Sequence, residues 1–161
     1  MKLFISCRRM LLLILLCFSA MFSRAQTSPV ASASGYSIWE SISLSSPLSG
    51  QPFTYNVFFT LPAGASNFFI TAYLPSELVI DAITAPTGPA AYAGNAYNLA
   101  QIPGSNAVRL TFPAPISGNI SGSFQVHAHF PYAGACNRTV GTYVELKSET
   151  VNLVTQRIFT N

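Results

Sequence analysis

Two histidines, His127 and His129, are the residues whose type and spacing are best suited to chemistry in this sequence. They are two positions apart in an alternating stretch, so both side chains leave one face of a predicted strand, where their imidazoles can converge on a metal ion. A metal site needs further ligands from elsewhere in the chain, and the sequence identifies none. A solvated pair of histidines explains the same spacing, so we expect no bound metal.

Other catalytic patterns are missing from the sequence. The five acidic residues, from which a glycosidase pair would have to come, stand in no recognisable setting. The stretch 118–122 (GNISG) has the wrong spacing for a nucleophile elbow, and there is neither a phosphate-binding glycine loop nor a zinc-binding cysteine cluster. We therefore predict a protein that is not an enzyme and uses no cofactor.

Aromatic side chains in or beside predicted loops suggest a second kind of chemistry, the binding of sugars. Aromatic rings stack on the apolar faces of sugars while the sugar hydroxyls keep their hydrogen bonds. The same aromatic residues can instead pack loops onto the core, and we favour that interpretation. The candidate ligand-binding residues are Trp39, Tyr92, Tyr97 and Tyr132.

Residues 1–25 have the layout of a secretory signal peptide. Three basic residues within the first nine precede an apolar run over 11–22, and a small residue, Ala25, stands before the predicted cleavage point at Gln26. The apolar run is short for a membrane span, and no later stretch is long and apolar enough to be one. We therefore predict a mature chain that is secreted or held at the cell surface, with no membrane span.

Removal of the signal peptide changes the charge of the chain. Four basic and five acidic residues follow position 25, so the mature chain has a net charge of −1 in place of the +3 of the precursor. Without a basic patch, nothing attracts a phosphate backbone, and we exclude nucleic acid as a partner.

Cys136 and Lys147 are each the single residue of their type after position 25. No internal disulfide can form, so the fold must rest on its apolar core. Only Arg138 stands near Cys136 to activate its thiol, and we interpret this cysteine as an unreactive turn residue. A Lys–Asn crosslink stabilises some surface sandwiches, but no pattern surrounds Lys147, and we interpret it as an ordinary surface lysine.

The elements that must position these residues are strands. In 121–130, Phe124, Val126 and Ala128 alternate with polar residues, which is the period of a half-buried strand. A weaker alternation over 37–43 places Glu40 on the same face as two isoleucines. Further strands recur about every ten residues between Pro/Gly turns, which predicts a β-sandwich, with a closed barrel as the alternative. The predicted core contains Phe53, Tyr55, Val57, Phe59, Phe69, Leu110, Phe112, Phe124, Val126 and Phe130.

The order of several short motifs resembles the conserved-repeat domain of large bacterial surface proteins. The motifs are SGQPFTY at 49–55, LPSEL at 74–78 and SGSF at 121–124, within a similarity that covers about 39–153. The closing strand departs from the family, since it reads YVELK at 143–147 where an Asn-Thr-Ala-Thr type is usual, and no second copy of the repeat follows. The resemblance implies an all-β, Ig-like antiparallel sandwich of about 7–9 strands.

The resemblance also implies a function and a domain organisation. A non-catalytic, secreted or cell-surface structural or adhesion module is expected, with other surface-protein domains or extracellular glycans and proteins as partners. Three forms are open: a module that acts alone, the first domain of a longer repeat protein, or a fragment. A secreted, lectin-like sandwich that uses loop aromatics is the alternative. The expected organisation is a signal peptide at 1–25, a flexible lead-in at 26–36 and a β-sandwich at 37–161.

Overall fold

The computed structural model describes residues 30–44, 46–87, 91–131 and 139–160. Ten strands and one short 3-10 turn, at Ala91–Gly94, lie within these ranges. None of the helical structure described there is long and apolar enough to cross a membrane. The strands are β1 Ala31–Ala33, β2 Tyr36–Ile42, β3 Phe53–Leu61, β4 Phe69–Tyr73, β5 Val79–Thr84, β6 Asn98–Gln101, β7 Ala107–Thr111, β8 Ile120–His129, β9 Thr139–Lys147 and β10 Asn152–Thr160.

The strands form two antiparallel five-stranded sheets, which confirms the predicted all-β sandwich. Sheet A has the order β1-β2-β3-β8-β5, and sheet B has the order β10-β9-β4-β7-β6. The number of strands exceeds the expected 7–9 because β1 lies within the predicted lead-in over 26–36. Residues 31–33 pair with β2, so sheet A begins before position 37.

The centre of sheet A follows the predicted alternation of apolar and polar residues. Every second residue of β3 is buried, and Val57 faces Phe124 across the β3–β8 pair. Side chains of period two on neighbouring strands place all their apolar members on one face, and this face meets sheet B. Eight of the ten predicted core residues are buried, namely Phe53, Tyr55, Val57, Phe59, Leu110, Phe124, Val126 and Phe130.

The prediction for Phe69 is wrong, and Phe112 is only partly buried. In β4, Ile70 and Ala72 point inward, so the alternation places Phe69 on the outer face of sheet B and leaves its neighbour Phe68 in the core, 6% exposed. In a strand, one of two adjacent phenylalanines faces the core and the other faces outward, and the sequence pattern alone does not show which one is inside.

Candidate interaction surfaces and a buried polar cluster

The outer face of sheet A holds the two histidines, and each one has its own partners. His127 lies between two neighbouring strands, with its Nδ1 3.3 Å from Thr54 Oγ1 and its Nε2 3.3 Å from Thr84 Oγ1. His129 Nδ1 lies 2.9 Å from both carboxylate oxygens of Asp81. No cluster of three or more His, Cys, Asp or Glu that suits a metal occurs among the described residues. The histidines therefore belong to two separate hydrogen-bonded groups.

Amide and hydroxyl side chains continue this hydrogen bonding across sheet A. Gln125 Nε2 donates to Asn56 Oδ1 at 2.9 Å, and Thr84 Oγ1 donates to Gln125 Oε1 at 3.3 Å. Asn56 Nδ2 in turn donates to Ser41 Oγ at 3.3 Å. Cross-strand pairs of this kind hold these side chains in place on the face of the sheet.

Trp39, a candidate ligand-binding residue, lies on the same outer face but on the opposite side from β5. Its ring stacks on Phe58, with centroids 5.4 Å apart and planes 8° from parallel. The two residues are paired in the β2–β3 register. Stacking on a neighbouring strand covers one face of the indole and fixes it against the sheet.

Tyr92 and Tyr97 lie at one end of the sandwich, where Tyr92 closes the core. Tyr92 is 4% exposed, and its hydroxyl donates to the Ser123 carbonyl oxygen at 2.8 Å. Tyr97 packs edge-on against it at 4.7 Å, and its own hydroxyl donates to the Pro86 carbonyl oxygen. Burial, and secondly the neighbouring Tyr97, raise the pKa of Tyr92 far above its ordinary value.

The backbone around Tyr92 is unusual because two consecutive residues are left-handed. Tyr92 and Ala93 have φ values of 47° and 55°, a region that residues with a Cβ enter at a cost of about 1–2 kcal/mol each. In this conformation the Tyr92 ring lies against Gly122. A Cβ at Gly122 would stand 2.8 Å from the rings of both Tyr92 and Phe59, so only glycine admits this packing.

The four candidate ligand-binding aromatics do not form one site among the described residues. Tyr92 and Tyr97 pack at the end of the sandwich, whereas Trp39 lies on the outer face of sheet A. Tyr132 lies outside the described residues, as does Cys136. The packing of Tyr92 corresponds to a loop aromatic that closes the core.

A buried polar cluster, made of Glu40, Tyr55, Thr142 and Arg157, joins the two sheets near β2 and β10. Tyr55 Oη and Thr142 Oγ1 both donate to Glu40 Oε2, the second at 3.2 Å. Glu40 and Thr142 are fully buried, and Arg157 is 5% exposed. Thr142 and Arg157 face each other in the β9–β10 register, so both reach the interior from sheet B.

The electrostatics of this cluster follow from its burial. Desolvation raises the pKa of Tyr55 well above its ordinary value, and the nearby Glu40 raises it further. Burial lowers the pKa of Arg157, whereas Glu40 and Tyr55 partly offset that effect. Arg157 Nε has no hydrogen-bond partner among the described residues. Removal of one charged member therefore leaves the others in a medium that solvates them poorly.

Sequence reasoning placed Glu40 on the apolar face of its strand but did not identify this cluster. The signal was present, because Glu40 alternates with Ile38 and Ile42, and Arg157 alternates inward with Leu153 and Thr155. A charged residue at an inward position requires a buried partner. Which residues are the partners of Glu40 follows only from the β9–β10 pairing and from the packing of β2 against sheet B.

The outer face of sheet B differs in composition from that of sheet A. Tyr73 and Tyr143 stack at 4.3 Å, and the Arg109 guanidinium lies 4.4 Å above the Phe69 ring. Arg109 Nε also donates to Thr71 Oγ1 at 3.1 Å. Lys147, the predicted surface lysine, is exposed in the same sheet. The Tyr73 hydroxyl donates to Glu145 Oε2 at 3.4 Å, so this face presents aromatic rings together with charges of both signs.

Comparison with known proteins identifies the fold. No protein-family model and no curated protein sequence matches the chain. The major pilin subunit BcpA of Bacillus cereus matches with a TM-score of 0.61 and 14% identity, over 78% of this chain and 39% of the pilin. The N-terminal domain of the Streptococcus gordonii adhesin Sgo0707 matches with a TM-score of 0.56 and 14% identity, over 75% of this chain and 31% of that one.

A third match has the same architecture. A C-terminal fragment of the major pilin GBS80 of Streptococcus agalactiae matches with a TM-score of 0.51 and 12% identity, over 72% of this chain and 50% of the fragment. The chain thus spans less than two thirds of the length of each of these structures. Its fold is that of the Ig-like β-sandwich domains of bacterial pilins and surface adhesins.

Proposed function

We propose that this chain is a non-catalytic structural or adhesion module of a bacterial cell surface. The observation that carries the proposal is the similarity of its fold, over three quarters of the chain, to domains of pilins and an adhesin. Its partners are then other domains of surface proteins. The two sheets give such a module two distinct outer faces, one with a network of cross-strand hydrogen bonds and one with stacked tyrosines beside Arg109 and Glu145.

Export is the second part of the proposal. The basic residues and apolar run of 1–25 direct the chain to the secretion pathway, and cleavage near Ala25–Gln26 releases the sandwich. The mature chain folds without an internal disulfide, so its stability comes from the core between sheets A and B. A sandwich of this kind is suited to a place outside the cell, where it presents two sheet faces to neighbouring proteins.

Fractionation of the producing bacterium tests both parts. An antibody raised against 37–161 is used on immunoblots of cytoplasm, cell envelope and medium. We expect the product in the envelope or the medium, shortened by removal of the leader. A matched variant, Arg8→Glu with Arg9→Glu, removes the positive charge of the leader and should retain the full-length precursor in the cytoplasm. A cytoplasmic, unshortened product of the natural sequence would contradict the proposal.

The size of the product then separates the two forms of the module. A band with the mass of residues 26–161, found in the medium, indicates a secreted module that acts alone. A much larger band in the envelope indicates one domain of a long surface protein. Loss of attachment or of surface assembly in a deletion strain, restored by the natural gene, supports the structural or adhesive function.

A further inference from the structure

We propose that the outer face of sheet B binds the same face of a second copy of this chain, with a two-fold axis parallel to β4. The inference does not depend on export or on cell-surface function, because it concerns the folded domain itself. It rests on the arrangement of charges and rings about β4, the central strand of sheet B.

The strand register orders the outer face into rows across the sheet. One row runs from β9 through β4 to β7 as Glu145, Thr71 and Arg109. The next row runs as Tyr143, Tyr73 and Ala107. Neighbouring strands are about 4.8 Å apart, so Glu145 and Arg109 start from positions about 10 Å apart on opposite sides of β4.

Glu145 and Arg109 have opposite charges but no charged partner among the described residues. Arg109 contacts the Phe69 ring and Thr71, and Glu145 accepts only a long hydrogen bond of 3.4 Å from the Tyr73 hydroxyl. The ion pair that His129 forms with Asp81 lies on the other sheet. Thr71, which lies between the two charges, is fully buried beneath its neighbours. Each charge is therefore available to a molecule placed on this face.

Symmetry shows which molecule matches this arrangement. A two-fold axis parallel to β4 exchanges the left and right sides of the facing sheet, so it places Glu145 of one copy opposite Arg109 of the other, twice. The same operation places the exposed Tyr143 ring over the position of Ala107, which is itself buried. An axis perpendicular to the strands would instead place Glu145 opposite Glu145. Charge complementarity thus selects a second copy in the first orientation.

Exposed apolar side chains extend the face toward β10. Of the six large exposed hydrophobic residues described, three lie on the outer side of β9 and β10, namely Tyr143, Val154 and Ile158 at 40%, 53% and 61% exposure. In the proposed dimer, Val154 lies opposite Ala100 of β6, which pairs with Arg109. Tyrosine and arginine surrounded by apolar contacts are the usual centre of a protein interface.

Analytical ultracentrifugation of the mature chain tests the proposal over a range of protein and salt concentrations. We expect a reversible dimer that weakens as salt is raised. Glu145→Arg should weaken dimerisation about tenfold or more, because each lost pair occurs twice. The reciprocal variant, Glu145→Arg with Arg109→Glu, restores opposite charges and should restore the dimer. Asp81→Arg makes the same change of charge on sheet A and should leave dimerisation unchanged.

Several outcomes overturn the inference. A chain that stays monomeric at all concentrations has no such interface. A dimer that Glu145→Arg leaves intact uses another face, and a folded reciprocal variant that stays monomeric excludes the proposed axis. Because Arg109 also donates a hydrogen bond to the buried Thr71, folding of each variant is checked by circular dichroism. If variants at Arg109 do not fold, they are replaced by Val154→Arg, a substitution at an exposed position of the edge strand β10. Loss of dimerisation in this variant supports the proposal, and a retained dimer contradicts it.

Discussion

Two regions of the sandwich interior exclude water with different kinds of side chain. At the β3–β8 centre, Val57, Phe59 and Phe124 exclude water with apolar side chains alone, and Tyr92 closes the end over Gly122. Near β2 and β10, the interior holds a carboxyl group and a guanidinium. Apolar contacts have no preferred direction, whereas the polar cluster requires defined partners. We therefore expect the two regions to respond differently to substitution and to pH.

The largest effect is expected at the apolar centre. Phe124→Ala removes a fully buried ring and should lower the free energy of unfolding by about 3–5 kcal/mol, with little dependence on pH near neutrality. Urea unfolding of the purified mature chain measures it. Exposed Leu48→Ala serves as the control and should change the free energy by less than about 0.5 kcal/mol. A loss below about 1 kcal/mol for Phe124→Ala would mean that this centre is not tightly packed.

The next largest effect on the free energy of unfolding is expected when one charged member of the polar cluster is removed, and it should be smaller when all four members are replaced together. Glu40→Ala should lower the free energy of unfolding by about 3 kcal/mol, because Arg157 loses its buried counter-charge. A fourfold variant replaces every member of the cluster by a residue without charge, as Glu40→Leu, Tyr55→Phe, Thr142→Val and Arg157→Met. It removes all four polar side chains of the cluster together, so it should recover most of that loss.

The same urea titration measures both variants of the polar cluster. If the fourfold variant is as unstable as Glu40→Ala, the cluster supplies more than charge balance, and its hydrogen bonds determine how β2 packs on sheet B.

Gly122→Ala tests the close approach at the apolar end. The added Cβ meets two rings at 2.8 Å and should cost about 1–3 kcal/mol of stability. The penalty should shrink when Tyr92→Ala is also present, because one of the two rings is then gone. Equal penalties in both backgrounds would assign the clash to Phe59 alone. Gly118→Ala is a matched control, since nothing lies within 4 Å of a Cβ there.

Alkaline pH tests the tyrosines of both regions. The pKa values of Tyr55 and Tyr92 are raised in the folded chain above the ordinary value of 10.0, so above that pH the unfolded chain releases protons that the folded chain keeps. The free energy of unfolding should therefore fall with rising pH, by at most about 1.4 kcal/mol per pH unit for each tyrosine. Tyr55→Phe and Tyr92→Phe should each remove one such contribution. An unchanged slope in either variant would show that its tyrosine titrates normally.

The smallest effect is expected on the outer face of sheet A. Asp81→Asn removes the partner of His129, but the two side chains are 40% and 28% exposed. Water screens such a pair, so the free energy of unfolding should change by less than about 1 kcal/mol. Thermal unfolding of the variant beside the natural chain measures the difference. A larger loss would indicate that this pair acts with the neighbouring hydrogen bonds as one network.

Much of this fold was predictable because strand alternation is a local property. Phe124, Val126 and Ala128 determine the inward face of β8 whatever lies across from them. The phase of Phe68 and Phe69 was not predictable, since two adjacent rings fit either phase. The contact between Glu40 and Thr142 was not predictable either, because the two residues are 102 positions apart and meet only through the packing of two sheets.

The packing of β10 against β1 and β2 determines where a pulling force would act on the domain. The first and last described strands meet on one side of the sandwich, and the cluster that contains Glu40 and Arg157 lies at this junction. Tension applied through the two ends of the domain therefore acts first on this junction, before it reaches the apolar centre. Extension of the domain through its two ends would therefore load a buried cluster that holds both a carboxyl group and a guanidinium, and the force required would depend on the ionisation of these groups.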